Sequence, residues 1–313
     1  MSIAFKKRSS GSVGLDVDGS FLAAAVVDGN SIGRVASTDL ADGVAADGEV
    51  RDVGALSDAL KTFFKRHELP RDVRLGVANQ QIVVRQLEMP LIRDQQEREA
   101  AVRFQAAEAI AMPLDEAVLD FQAIGATQGA DGVARERLLV VAARESMIAQ
   151  LVAAVKGAGL KPVGVDLSAF ALVRMLAGPG DDGHDAGQSA RVICHLGGIT
   201  NLAIAVGATC VFTRPLRATW NAEDEGSSAA LAEEIRLSID FHMAQPEARP
   251  VTQVVLTGPD AADGRIASEL ASRSGLEVTV AEPLGRLGTH TVPSGDDPYR
   301  YTVAAGLAMG APT

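Results

Sequence analysis

The sequence predicts an α/β protein of two lobes with a compact α+β unit between them. Three observations lead there. The chain has 313 residues, too many for one ordinary core and enough for two. A three-strand pattern near the start returns in the second half. The stretch separating the two copies follows another plan, in which short strands alternate with helices.

The first copy opens with a strand at 12–17, a turn at Asp18-Gly19-Ser20 and a second strand at 21–27. Asp28-Gly29-Asn30 reads as a hairpin turn, because these residues tolerate positive φ, and a strand at 31–37 closes the meander. The second copy runs through strands at 191–196, 201–206 and 209–214, with turns at Gly197-Gly198 and Gly207-Ala208. Two copies of one meander imply a duplicated lobe. Each leads into helical material. Residues 55–67 place Leu56, Leu60, Phe63 and Phe64 on one helical face, with Pro70 beyond the end. A buried strand at 73–77 follows, as expected after a helix that crosses back to a parallel sheet. In the second half, 228–243 is a long helix with Leu231, Ile235, Ile239 and His242 on one side, and 251–257 is the matching strand. A helix at 266–274 turns at Gly275 into the next strand. Residues 301–309 form a helix rich in Ala and Gly, able to pack close to a neighbour.

The intervening unit reads as a strand at 83–88, a helix at 94–110, strands at 117–124 and 137–143, and a helix at 145–157, with 125–135 as a long hairpin tip. Residues 178–189 are polar, Gly-rich and without periodicity, which marks a linker. Residues 285–298 read as another exposed loop. The division expected is a first lobe over 10–84, completed by 164–177 and 299–313, an insertion over 85–163, and a second lobe over 190–298. No repeat of the solenoid type is present.

Composition excludes several classes. There are 29 Lys and Arg against 40 Asp and Glu, a formal net charge of −11. No basic stripe is interleaved with aromatics, so nucleic acid is not an expected partner. Aromatics are 4%, which leaves Ala, Val, Leu and Ile to fill the core. Cys194 and Cys210 sit in neighbouring apolar runs that read as paired strands; they set no disulfide framework and read as small buried side chains in a reducing compartment. No apolar run approaches the roughly 20 residues of a membrane span. Lys6, Lys7 and Arg8 are followed by Ser and Gly rather than an apolar segment, so no signal peptide is read and a cytosolic protein is expected. The basic start reads as a frayed terminus.

At Gly14-Leu15-Asp16-Val17 a strand ends in a carboxylate before a Gly/Ser turn, which is similar to the first phosphate loop of actin-like ATPases. Residues 85–90, Ala101-Val102-Arg103-Phe104, Met112-Pro113-Leu114-Asp115-Glu116, Val118-Leu119-Asp120-Phe121, Val140-Val141-Ala142-Ala143-Arg144-Glu145, and 158–171 from Ala158-Gly159-Leu160-Lys161-Pro162 onward follow in an order that resembles the type IV pilus assembly protein PilM family. The likeness covers nearly the whole chain and is strongest from about 85 to 175. It implies a duplicated actin-like (ribonuclease H-like) fold with an inserted SHS2-type subdomain. It also implies a cleft that takes ATP with Mg²⁺, gripped by backbone N–H groups of tight turns and a carboxylate at a strand end. By that resemblance the nucleotide residues, if binding is retained, are Asp16, Gly19, Ser20, Gly197, Gly198, Thr200, Asn201 and Gly258.

The chain departs from the family pattern at each of these places. Asp18 stands where the family usually has Gly, and Ala23 lies near a position usually basic. A carboxylate beside phosphate costs roughly 3 kcal/mol per phosphate charge at about 5 Å and an effective dielectric constant of about 20. His195 stands where an Asp is usual and cannot hold Mg²⁺ as a carboxylate would, and the loop after it is shorter. Pro259 removes an N–H donor from Gly258-Pro259-Asp260. The Gly-Gly-Asp-like stretch is replaced by Thr219-Trp220-Asn221-Ala222-Glu223-Asp224. Together these imply that hydrolysis is lost and nucleotide binding is weak or absent. His195 has no Cys, His or carboxylate at a metal-ligand spacing, so it reads as structural.

The resemblance implies an extended N-terminal segment of a bitopic PilN-like membrane protein as partner, along with other pilus assembly subunits. Arg85, Arg103 and Phe104 are the groove candidates, against a plainer reading of helix 94–110 as a solvated face whose charge pairs lie three to five apart. The expected place is the inner face of the cytoplasmic membrane, reached through that partner. Two other readings stay open: an active actin-like ATPase that hydrolyses ATP or polymerises as the cell-division protein FtsA does, and a small-molecule kinase of the same superfamily. A homo-oligomer stays open as well. No catalytic residue and no metal site is read.

Overall fold

The computed structural model describes residues 12–28, 31–128, 132–176, 189–221, 223–224, 226–245, 248–281 and 296–310. Strands β1 (Val13–Val17), β2 (Phe21–Asp28) and β3 (Ser31–Asp39) form the first antiparallel meander. A short hairpin, β4 (Ala45–Ala46) and β5 (Glu49–Val50), follows it. Helix α1 (Val53–Arg66) starts where the Asp52 side chain accepts the Ala55 N–H at 2.9 Å, and it buries Leu56, Leu60, Phe63 and Phe64. It returns the chain to β6 (Asp72–Val77), parallel to β1.

The insertion runs β7 (Val83–Pro90), α2 (Gln95–Ala109), β8 (Ala117–Gln128), β9 (Ala134–Arg144) and α3 (Glu145–Gly157), with β9 between β7 and β8. Period-two alternation divides its sheet faces. Met89, Leu138, Val140 and Ala142 meet Val102 and Ala106 of α2, while Val84 and Val141 pack against the first lobe. Arg98 of α2 forms a two-pronged pair with the buried Glu136 on β9, at 2.9 and 2.5 Å, and lies over the Phe121 ring. Arg98 therefore pairs from the helix to the sheet beneath it and not along its own helix. The β8–β9 hairpin is longer than its sequence suggests, because 125–128 and 134–135 are strand rather than tip.

Strand β10 (Lys161–Leu167) completes the first sheet in the order β10-β6-β1-β2-β3 and leads into α4 (Ser168–Leu176). The second lobe repeats the plan. Strands β11 (Ala190–His195), β12 (Asn201–Val206) and β13 (Thr209–Pro215) form the meander. Helix α5 (Ser227–Met243), β14 (Val251–Thr257), α6 (Gly264–Ser274) and β15 (Glu277–Val280) follow, giving the order β13-β12-β11-β14-β15. A 3-10 turn (Pro298–Tyr301) precedes α7 (Thr302–Ala308). The turn read at 29–30, most of the linker read at 178–189 and most of the loop read at 285–298 lie outside the described residues. The cysteines are not on paired strands. Strand β12 separates β11 from β13, and Cys194 and Cys210 face opposite sides of that sheet. Both thiols are buried and pushed up to about 12 by the loss of solvent.

Helices α4 and α7 form one layer between the two sheets. Phe21, Ala23 and Ala25 of β2 face it from one side, and Ile193, Ala203 and Ala205 face it from the other. The layer is thin because its contacts are made by small residues. A Cβ on Gly306 would run into the Ala171 carbonyl oxygen, with the Ala171 carbonyl carbon 2.5 Å away, and one on Gly14 would lie 2.6 Å from the Ala308 nitrogen. Leu56, Leu60 and Leu151 cover the outer face of the first sheet, and Leu231, Ile235 and Ile266 cover that of the second.

Gly306→Ala therefore has to part α4 from α7. Urea denaturation should show a loss of about 3 kcal/mol, the scale of an overpacked core. Gly264→Ala, at a helix start with nothing within 4 Å of its Cβ position, should change stability by less than about 1 kcal/mol.

Candidate functional site

The ends of β1 and β11 point into a cleft between the lobes, where a cavity of about 280 Å³ opens. Its walls are the turn after β1, the β4–β5 hairpin, the end of β6, and the loop after β11. The turn after β1 closes through the Asp18 N–H donating to the Phe21 carbonyl at 3.1 Å, with Gly19 at φ 81°. Only glycine adopts that backbone easily.

The two loops meet each other across the cleft. The Ile199 N–H donates to Asp18 Oδ1 at 3.3 Å. A Cβ on Gly198 would sit 2.8 Å from Asp18 Oδ1 and would also strike the Asp18 carbonyl oxygen, and one on Gly197 would strike Asp18 Oδ2. The side chain of Ile199 reaches on to the β4–β5 hairpin, where its Cδ1 lies 2.7 Å from the place a Gly48 Cβ would take. Asn79 holds that hairpin by donating its side-chain amide to the Asp47 carbonyl at 2.6 Å.

Asp16, Asp18, Asp47 and Glu49 line the cavity, and among the described residues that line it there is no Lys or Arg. Asp47 and Glu49 are both paired to Arg51, outside it. Burial pushes the Asp16 carboxyl well above the ordinary range, and the Asp18 charge adds to this. Burial also pushes Asp18 up, to about 7, although the Gly198 and Ile199 N–H groups favour its charged form. Asp260 raises it further and Arg300 lowers it. His195 is buried and held neutral, its value lowered to about 4 by desolvation. His195 Nε2, Asn201 Oδ1, Thr200 Oγ1 and Asp18 Oδ2 are out of solvent and without a hydrogen-bond partner.

Of the nucleotide residues expected from the sequence, Asp16, Gly19, Ser20, Gly198 and Asn201 stand on the cavity wall, while Gly197, Thr200 and Gly258 do not. Gly258 has another reason to be glycine. Its φ is 96°, and a Cβ there would lie 2.7 Å from the Leu196 nitrogen. Trp220, in the stretch that replaces the Gly-Gly-Asp pattern, lies under Arg265, 5.4 Å from its guanidinium carbon. The lining around these residues offers a buried-carboxyl pair and a neutral imidazole and, among the described residues, no cation of its own for a phosphate charge. Among the described residues no three His, Cys, Asp or Glu come together as a metal site. The sequence reading missed Ile199, Asn79 and the β4–β5 hairpin. The Asp47-Gly48 pair, at φ 54° and 72°, was the local signal for that turn.

The groove candidates lie on the insertion. Arg85 is exposed on β7, in step with Val83, Leu87 and Met89 on the face that α2 covers. Arg103 is exposed on α2 and donates to the Leu114 carbonyl at 3.3 Å. Phe104 falls midway between the buried Val102 and Ala106, so it stands on the side of α2 turned away from the sheet, 71% exposed.

Paired sheets of one topology, flanking a shared helix pair and a cleft at the strand ends, define an actin-like fold. The family described as type IV pilus assembly protein PilM matches residues 23–215, and the chain belongs to that family. Among solved structures the chain is similar to one described as the PilM-PilN type IV pilus biogenesis complex, with a TM-score of 0.80, 22% identity, and 96% of this chain and 98% of that chain covered. It is also similar to the ethanolamine utilization protein EutJ from Carboxydothermus hydrogenoformans, with a TM-score of 0.53, 13% identity and coverage of 95% and 89%. The cytoplasmic domain of EpsL, an inner membrane component of the type II secretion system of Vibrio cholerae, gives 0.52, 12%, and 95% and 94%. No curated protein matches the sequence.

The raised Asp18 value carries a sign. Its carboxyl titrates near 3.8 when unfolded and at about 7 when folded, so the folded state holds the proton more tightly. Stability is greatest below 3.8, falls as pH rises between the two values, and has lost the full contribution above about 7. Asp18→Asn should therefore be more stable than the parent by about 1–3 kcal/mol near pH 8, and the difference should vanish near pH 4, in paired urea denaturation curves.

Proposed function

We propose that this chain is a cytoplasmic scaffold of a type IV pilus or related secretion apparatus, which docks the cytoplasmic tail of a bitopic PilN-like inner-membrane protein and binds nucleotide weakly or not at all. The observation that carries this reading is the cleft. Its phosphate end is lined by carboxylates and crossed by the Asp18–Ile199 bridge, while the fold around it is that of the pilus family.

The docking role falls to the insertion. Strand β8 is an edge strand of twelve residues with alternate positions exposed, and β7 is the opposite edge. An extended tail gains main-chain hydrogen bonds from such an edge and takes its specificity from a few side chains. Arg85, Arg103 and Phe104 supply charge and an apolar anchor on this unit. Attachment to the membrane comes through the partner; among the described residues no helix is long and apolar enough to cross one.

A labelled peptide of the cytoplasmic N-terminal tail of a PilN-like bitopic protein from the same organism is the test. Fluorescence anisotropy should show saturable binding by the full chain. Phe104→Ala and Arg103→Glu should weaken it at least about tenfold, the loss expected of contacts worth about 1.4 kcal/mol or more, with the melting temperature unchanged because both positions are exposed. No binding to the intact tail overturns the docking reading. Tight ATP·Mg²⁺ binding with turnover overturns the loss of nucleotide.

A further inference from the structure

A pair of glycines in the second-lobe loop needs an explanation. Gly197 and Gly198 have the look of a phosphate grip, yet what approaches them is part of the same chain. The Asp18 carbonyl oxygen and both of its carboxylate oxygens occupy the space that side chains at 197 and 198 would take. The Ile199 N–H points at Asp18 Oδ1. Backbone N–H groups of such a loop can receive an anion, and here a carboxyl of the same chain takes the place, one oxygen accepting from Ile199 and the other without a partner.

We propose that Asp18 is an internal stand-in for a ligand's phosphate: its side chain and carbonyl occupy the space against Gly197 and Gly198, one carboxyl oxygen accepting from the Ile199 N–H, and this residue excludes polyphosphate from the cleft. The inference rests on the reading that nucleotide binding is weak or lost, and it assigns the cause to one side chain. It deepens the charge argument, because Asp18 does more than repel. It takes the place.

The surroundings support occupation over repulsion alone. The groups that face Asp18 are Asp16 from β1, His195 from β11, Asp260 from the 3-10 turn after β14, and Arg300 from the turn before α7. Arg300 is the one cation among them. It is already paired with Asp39 at 2.8 Å and stacked on Phe21, with its guanidinium carbon 4.9 Å from the ring centre. His195 is neutral. A phosphate entering the loop must first displace Asp18, and would then leave a second carboxylate in a cavity that offers it no countercharge. The unpartnered His195 Nε2 and Asn201 Oδ1, each more than nine-tenths buried, mark the same cavity as shaped for a polar occupant.

The experiment compares the full chain with Asp18→Gly and Asp18→Asn, using inorganic pyrophosphate and ATP·Mg²⁺ as probes in calorimetric titration and thermal shift. Asp18→Gly empties the space that the side chain takes and should bind pyrophosphate at least about tenfold more tightly than the parent. Asp18→Asn removes the charge but keeps the side chain in place, so it should gain much less. A folded Asp18→Gly chain that binds pyrophosphate no better than the parent overturns the proposal. So does an Asp18→Asn chain that gains as much as the glycine variant, since charge alone would then explain exclusion. If Asp18→Gly does not fold, Asp18→Ser takes its place with the same expected gain. Tight ATP binding by the parent instead overturns the underlying reading of nucleotide loss, so the two failures are told apart. Tail-peptide binding, measured on the same variants, reports on the docking role separately.

Discussion

The close contact of α4 with α7 is the constraint on which the rest of the molecule depends. Two sheets can share one helical layer only if that layer is thin. It is thin because Gly306 lies against the Ala171 backbone and Gly14 against α7. Each helix is buried on both sides, so apart from Arg174 of α4, which pairs with Asp166, the usual amphipathic stripe is replaced by small or apolar residues. The chain crosses over here. Helix α4 leaves the first sheet and packs under the second, while α7 leaves the second and packs under the first. Whatever moves one lobe must therefore move against this layer, and the cleft inherits its width from it.

The same thinness brings the loops after β1 and β11 into contact. Sheets held this close leave the strand ends facing each other, and the Asp18 turn reaches the Gly197-Gly198 loop. The contact is held against an electrostatic cost, since the Asp16 and Asp18 carboxyls are buried beside a neutral histidine, with Arg300 as the cation that favours the Asp18 charge. It joins the two lobes through the chain's own atoms. The insertion packs on the first lobe through Val84 and Val141. Its own core is closed by the Arg98–Glu136 pair and a short row of apolar side chains.

The fold was legible in the sequence where local rules coincide with global ones. The meanders could be read because turn residues separate short apolar runs, and α1 because Leu56, Leu60, Phe63 and Phe64 fall on one helical face. Strand β10 could not be read, since Lys161-Pro162 and Gly164 are poor strand residues; it is a strand because β6 offers it a parallel edge. The pairing of Arg98 with Glu136 was hidden too, because partners on the same helix looked equally good from spacing alone. Separating the two cysteines required the strand order.

That Asp18 and His195 stand where the PilM family usually has Gly and Asp came from the resemblance to that family; by itself the sequence determined that there are two copies of one lobe and that a different unit divides them. These follow from period, turn chemistry and residue type, which are properties of neighbours along the chain. Only the tertiary structure decided what Asp18 does. Nothing local tells whether its carboxylate faces solvent, a ligand or another loop. That choice is made by a residue 181 positions away, whose N–H reaches Asp18 because the helix layer between the sheets is thin.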